Sequence, residues 1–145
     1  MAPHAPSDQA LHRARVSWLQ SVTDYRSAQK RRRQRAYLES AYLSFQSALN
    51  ALSAVCHAHR RYQIPNFSTV QLAALCEEFD ARFADVREAC AALEKVQDYS
   101  PFAQGATGHD RELARVAQAA LRHAGLVHKA VRAFLKENRK RFFAP

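Results

Sequence analysis

The chain has 145 residues, of which 48% are hydrophobic and 24% charged, as in ordinary globular domains. This length supports one domain with a core and is short for two. Three cysteines without a close pairing pattern argue against a disulfide-stapled secreted domain, and no apolar run reaches the length of a membrane span. We expect an intracellular, cytoplasmic protein, and leave cytoskeletal, nuclear and organellar locations open.

Helix-breaking residues are rare in the first part of the chain. After Ser7, which can cap a helix, neither glycine nor proline occurs before Pro65. A helical hairpin usually needs a short loop with such a breaker, so we predict one continuous or gently bent helix up to that proline. The alternative is a helix that folds back, and the residues that favour a bend are Ser21, Thr23, Asp24 and Ser27.

Three segments carry apolar or small residues alternately four and three apart, the spacing that keeps one stripe facing a partner helix. The stripes are Leu38, Tyr42, Phe45, Leu49, Leu52, Cys56 and His59; Leu72, Cys76, Phe79, Phe83, Val86, Cys90 and Leu93; and Leu113, Ala117, Ala120, Ala124, Val127, Val131 and Phe134. Ser68 and Asp110 cap the second and third helices. We predict an all-α fold, an antiparallel up-down helical bundle with coiled-coil-like heptad packing and a long first helix.

The stripes also predict which residues face each other, because numbers paired between antiparallel neighbours sum to a constant. The pairs include Leu38 with Leu93, Cys56 with Cys76, His59 with Leu72, Phe83 with Ala124, and Leu72 with Phe134. Gly125 lies within the third helix, where we expect it to permit close approach of another segment. The predicted divisions are an N-terminal tail, 1–7; a helical arm with a basic block, 8–36; a three-helix antiparallel bundle, 37–142; and a C-terminal tail, 143–145.

The sequence contains no catalytic or cofactor signature. No nucleophile has a base at a recognised spacing, and no glycine loop for phosphate is present. The predicted register could gather Cys56, Cys76, His59 and His128 into a structural metal site. The alternative is that the cysteines are small buried hydrophobes, and no Cys-x-x-Cys spacing supports a metal. We predict a non-enzymatic protein without catalytic residues, cofactor or metal.

The net charge of +9 indicates attraction to something acidic. Basic residues gather at two ends of the predicted bundle, and Lys129 and Arg132 belong to the second group. The residues predicted to bind an acidic partner are Lys30, Arg31, Arg32, Arg33, Arg35, Arg60, Arg61, Lys136, Arg139, Lys140 and Arg141. For the first group the alternative is internal neutralisation, by Glu94, Asp98, Asp110 and Glu112. Residues 30–35 also resemble a nuclear-import signal.

An apolar stripe with aromatic residues remains without a partner if the first helix projects past the bundle. Its members are Leu11, Trp18, Leu19, Val22 and Tyr25. Such a stripe is typical of a protein docking surface, and the alternative is that it completes a four-helix core. We expect a structural or adaptor subunit, a scaffold in a larger assembly, that docks by this stripe and binds an acidic surface such as a cytoskeletal polymer.

The second hypothesis is an accessory RNA- or DNA-binding protein, such as a ribonucleoprotein subunit. The basic end together with Tyr62, Phe142 and Phe143 could hold a backbone and stack bases. No recognition helix, RNA-binding sheet or zinc finger is present, however. A membrane is not an expected partner, because no long helix combines a basic face with a free apolar face.

Overall fold

A computed structural model describes residues 8–59, 68–98 and 110–138 of the protein. The α-helices in these ranges are α1 (Asp8–Arg33), α2 (Tyr37–Ala58), α3 (Thr69–Phe79), α4 (Arg87–Glu94) and α5 (Asp110–Glu137). Two 3-10 helices, Ala81–Val86 and Lys95–Asp98, flank α4, and no strand occurs in the described ranges. The predicted all-α antiparallel bundle with a long first helix is confirmed. None of the helices described is long and apolar enough to cross a membrane.

The first helix ends at Arg33 and the chain turns back at once into α2. The Ala36 N–H donates to the Arg31 carbonyl at 2.9 Å, and the Arg35 N–H donates to the Arg32 carbonyl at 3.0 Å. These two bonds form a Schellman motif, whose central residue adopts the left-handed conformation that glycine usually takes. Here that residue is Arg35, with φ 62°. The prediction of one continuous helix is wrong, because this motif ends a helix without glycine or proline.

Helices α1 and α2 contact each other through very small side chains. The small buried residues of α1 are Ala10, Ala14, Ser21 and Ala28, and the buried serines of α2 that reach α1 are Ser40 and Ser47. Small residues at a helix contact allow the two axes to approach closely. The hydroxyl of Ser40 therefore donates to the Ala28 carbonyl at 2.7 Å, and that of Ser47 to the Ser21 carbonyl at 2.9 Å. The predicted arm does not project, since most of its length lies along α2.

The second predicted helix, which carries the stripe from Leu72 to Leu93, is broken at Asp80. Asp80 has extended backbone angles, and its carboxylate accepts from the Arg82 N–H at 3.0 Å, which starts a 3-10 helix. The chain then reverses, so that α4 lies against α3. The hydroxyl of Thr69, at the start of α3, donates to the Glu94 carboxylate at 2.5 Å and lies 3.1 Å from the Cys90 carbonyl oxygen. Ser68 caps α3, as predicted, in a capping box with Gln71.

This reversal changes the predicted pairing of side chains. The Sγ atoms of Cys56 and Cys76 lie 3.8 Å apart, as predicted. Two other residues of the predicted register make ring contacts that it does not contain. His59, predicted to face Leu72, stacks on Phe79, with ring centroids 4.1 Å apart. The ring of Phe83, predicted to face Ala124, lies against that of Phe134, with centroids 5.8 Å apart.

Helix α2 is the central element of the bundle, since α1, α3, α4 and α5 all contact it. The largest completely buried side chains are Phe83, Phe134, Leu52, Leu72 and Leu93. All of them belong to the predicted stripes, so the apolar pattern predicted burial correctly. The apolar pattern did not predict the ring contacts of His59 and Phe83, because these contacts depend on where the chain reverses.

We expect Ser21→Leu to lower the free energy of unfolding by about 1–3 kcal/mol, since a large side chain must force apart two closely packed backbones. Thr23→Leu is the matched control, because Thr23 lies two positions away and is exposed. Urea denaturation measures both. Equal effects of the two substitutions would contradict the close packing of α1 on α2.

We expect Arg35→Gly to raise the free energy of unfolding by about 1 kcal/mol, because glycine adopts the left-handed conformation without the steric cost that arginine carries. The same substitution at the neighbouring Gln34, for which no positive φ is found, should instead destabilise the protein. Thermal and urea denaturation measure the difference. A loss of stability with Arg35→Gly would contradict the observed turn.

Candidate anion-binding site

The aromatic residues of the predicted docking stripe contact α5. The ring centroid of Trp18 lies 5.4 Å from that of His128, and the centroid of Tyr25 lies 5.0 Å from it. Leu11 and Trp18 also pack against the core. The premise that these side chains lack a partner within the chain is therefore wrong. Leu19 differs, with 64% of its surface exposed.

A buried polar contact joins α1, α2 and α5. Ser47 touches Nε2 of His128 and donates its one hydroxyl proton to the Ser21 carbonyl. His128 must then donate from Nε2 to Ser47, so its ring is the neutral Nε2–H tautomer. Burial, together with the smaller effect of the positive charge of Arg132, lowers the pKa of His128 to about 4.

The same contact resembles a serine–histidine pair of the kind used in catalysis. Ser47 is fully buried, however, and a substrate cannot reach its hydroxyl. His128 also offers Ser47 a proton rather than a lone pair, so it does not act on Ser47 as a base. The pair therefore ties three helices together and does not form a nucleophile.

A pocket of about 440 Å³ opens between α1 and the second half of α5. Its lining residues are Tyr25, Gly125, His128, Lys129, Arg132, Ala133 and Lys136. A Cβ atom added at Gly125 would lie 3.2 Å from the Tyr25 hydroxyl oxygen. This confirms that Gly125 permits close approach of another segment, which is the side chain of Tyr25.

The pocket is positively charged. Lys129, Arg132 and Lys136 are exposed and lie three and four positions apart, on one face of α5. None of the ion pairs found in the described residues includes a residue that lines the pocket. Glu137, which follows Lys136 in the chain, pairs with Arg82, and Arg82 also pairs with Asp80. These three cations therefore have no carboxylate partner among the described residues.

A second basic region is the hairpin tip, residues 30–35. Arg31 pairs with Glu39, with Nε and Oε2 3.3 Å apart, whereas Arg32, Arg33 and Arg35 are exposed and take part in none of the ion pairs described. Glu94 was a candidate to neutralise this region and instead accepts from Thr69 and Gln97. The side chains of Asp98 and Asp110 lie outside the described part of the chain, as do Arg60, Arg61, Arg139, Lys140 and Arg141.

The possible metal site is not assembled. Cys56 and Cys76 lie together, but His128 contacts Ser47 on another side of α2, and His59 stacks on Phe79. Within residues 8–59, 68–98 and 110–138 no three His, Cys, Asp or Glu side chains are grouped to hold a metal ion. The hydrogen bond with Cys56 and burial raise the pKa of Cys76.

Cys90 is the third buried thiol. Burial, together with the smaller effect of the negative charge of Glu94, raises its pKa to about 12. A thiol with so high a pKa stays protonated near pH 7 and is a poor nucleophile. The cysteines therefore serve as small core residues.

Sequence reasoning placed Lys129, Arg132 and Lys136 in one basic group but missed the pocket, because Tyr25 reaches it only when α1 folds back. The chain matches no family model, and comparison with curated proteins and with solved structures finds no significant similarity. Function is therefore inferred from the surfaces of the chain.

We expect His128 to make stability depend on pH. Its pKa is lowered from 6.5 to about 4 in the folded protein, so between these values the unfolded chain binds more protons. Stability should be full above pH 6.5 and fall as the pH drops towards 4, by at most about 3 kcal/mol from this residue. Urea denaturation at several pH values measures the loss.

The matched variant is His128→Gln, which keeps a donor for Ser47 and does not titrate. It should show a shallower fall below pH 6.5 than the natural protein. His57 and His123, whose pKa values burial also lowers, contribute equally to both proteins. Identical pH profiles would contradict a neutral, buried His128.

Proposed function

We propose that this protein is a non-enzymatic structural or adaptor subunit of a larger intracellular assembly, and that it binds an acidic protein surface, such as that of a cytoskeletal polymer. Binding uses two basic regions, the hairpin tip and the basic face of α5. The observation that carries the proposal is that Arg32, Arg33, Lys129, Arg132 and Lys136 are exposed and join none of the ion pairs described.

Like charges three and four positions apart on a helix destabilise it by a few tenths of a kcal/mol per pair. A helix C-terminus favours cations through its dipole, which accounts for Lys30 to Arg33 in the last turn of α1 and for Lys136 in the last turn of α5. It does not account for Lys129 and Arg132, which lie further from the end of α5. A partner that supplies negative charge accounts for both regions.

The hairpin tip is held in a fixed shape by the Schellman bonds that end α1. A rigid display of charge raises the rate and specificity of association with a complementary surface. The alternative partner, nucleic acid, would also use these cations. The rings on which that alternative was based, Tyr62, Phe142 and Phe143, lie outside the described residues. Trp18 packs against the core and contacts His128, so it is not free to stack on bases.

Most of the apolar stripe of α1 is packed within the chain, so it offers little surface to a partner. Of its five members, Leu19 is the one that stays largely exposed, and its neighbour Val16 is 51% exposed. These two residues lie three positions apart on the outer face of α1 and form a small apolar patch. They could add contact area at the edge of an interface that the charges orient.

The test uses labelled poly-glutamate and a single-stranded DNA of equal charge as probes in fluorescence anisotropy titrations. The double variant Arg32→Gln and Arg33→Gln should weaken poly-glutamate binding about 10-fold, or 1.4 kcal/mol. The double variant Arg13→Gln and Lys95→Gln is the control, since it removes the same charge from exposed positions outside the two basic regions.

Binding of poly-glutamate should also weaken as salt rises. Equal losses in the two double variants would mean that net charge alone drives binding and would contradict the proposal. Tighter binding to the DNA than to poly-glutamate would favour the nucleic-acid alternative.

A further inference from the structure

We propose that the pocket between α1 and α5 binds a small organic phosphate, with Lys129, Arg132 and Lys136 holding the phosphate and the ring of Tyr25 contacting the organic part. This inference goes beyond the proposed function, because the ligand is a small molecule, and it uses the same three cations that form the basic face of α5. Its volume of about 440 Å³ lies in the range of small-molecule sites.

The charge of the pocket selects the class of ligand. Three cations line it, and none of its described lining residues is acidic. A single carboxylate would leave most of this charge unmatched, whereas a phosphate or diphosphate carries several negative charges. Arginine binds phosphate oxygens in pairs and lysine binds them as a point charge, so Arg132 and its two lysine neighbours suit phosphate.

The rest of the pocket is suited to an uncharged, partly apolar group. Ala133 and Gly125 add little bulk to its wall, and the Tyr25 side chain offers a ring face and a hydroxyl. His128 is neutral near pH 7, because burial lowers its pKa to about 4. The positive charge is therefore carried by the three long exposed side chains, and the inner wall offers rings.

Gly125 sets the position of Tyr25. A glycine in the middle of a helix costs about 1 kcal/mol relative to alanine. With alanine at this position the new methyl group would lie 3.2 Å from the Tyr25 hydroxyl oxygen, tighter than ordinary contact. The ring would have to shift, so the glycine keeps Tyr25 close to α5 and the pocket in its present shape.

The test is isothermal titration calorimetry with adenosine diphosphate, pyrophosphate and adenosine as separate probes. Adenosine diphosphate should bind, and at least 10-fold more tightly than either pyrophosphate or adenosine, because it alone fills both parts of the pocket. Trp18 is the only tryptophan in the chain and its ring lies 5.4 Å from that of His128. Because His128 lines the pocket, pyrophosphate bound there at high concentration should change the fluorescence of Trp18. Pyrophosphate itself does not absorb the light that excites tryptophan.

Arg132→Gln and Lys129→Gln should each weaken the binding of adenosine diphosphate at least 10-fold. The matched control is Arg122→Gln, which removes the same charge from an exposed position of α5 that does not line the pocket. Gly125→Ala should weaken binding, because the added methyl group would displace the Tyr25 hydroxyl.

Three results would overturn the inference: no binding of adenosine diphosphate at millimolar concentration, equal affinity for pyrophosphate, or an equal loss with Arg122→Gln. The hairpin-tip double variant should bind adenosine diphosphate as the natural protein does. If the natural protein binds poly-glutamate but not adenosine diphosphate, this inference fails while the proposed function stands. If the natural protein binds adenosine diphosphate but not poly-glutamate, this inference stands and the proposed function fails.

Discussion

The close contact between α1 and α2 is the constraint on which the other features depend. Serine hydroxyls on α2 reach backbone carbonyls on α1, at Ala28 and Ser21, and this is feasible only between closely packed backbones. Ser47 also contacts His128, so α5 is fixed against the same hairpin. Because α1 is held in this position, Trp18 and Tyr25 pack on α5 and become part of the fold.

The distribution of charge follows from this packing. The turn between α1 and α2 gathers a run of cations at one tip, where Arg31 has an acidic partner in Glu39. The acidic residues near the end of α3 and of α5 pair with Arg82 and Arg87 instead. The cations of α5 beside Tyr25 thus lie at an open pocket, and both basic regions are presented by rigid helices.

The fold class and the bulkiest buried residues, such as Phe83, Phe134 and Leu52, could be predicted from the sequence, because the four-and-three spacing marks the apolar face of each helix whatever its partner. The turn at Arg35 could not, since a left-handed arginine carries no sequence signal. The reversal at Asp80 was equally hidden within an unbroken apolar pattern. One usable signal was overlooked: Ala14, Ser21 and Ala28 repeat every seven residues, a spacing that indicates a small-residue contact. The basic groups were visible in the sequence, but the pocket required the position of Tyr25.

The packing of α1 against α5 is tested most directly by nuclear Overhauser effects from the single tryptophan. The rings of Trp18 and His128 are separated by 5.4 Å between centroids, close enough for cross-peaks between their protons. The account predicts cross-peaks from the Trp18 indole to the His128 imidazole in the free protein. Cross-peaks from Trp18 confined to its own neighbours on α1 would contradict it, because the first helix would then project away from the bundle.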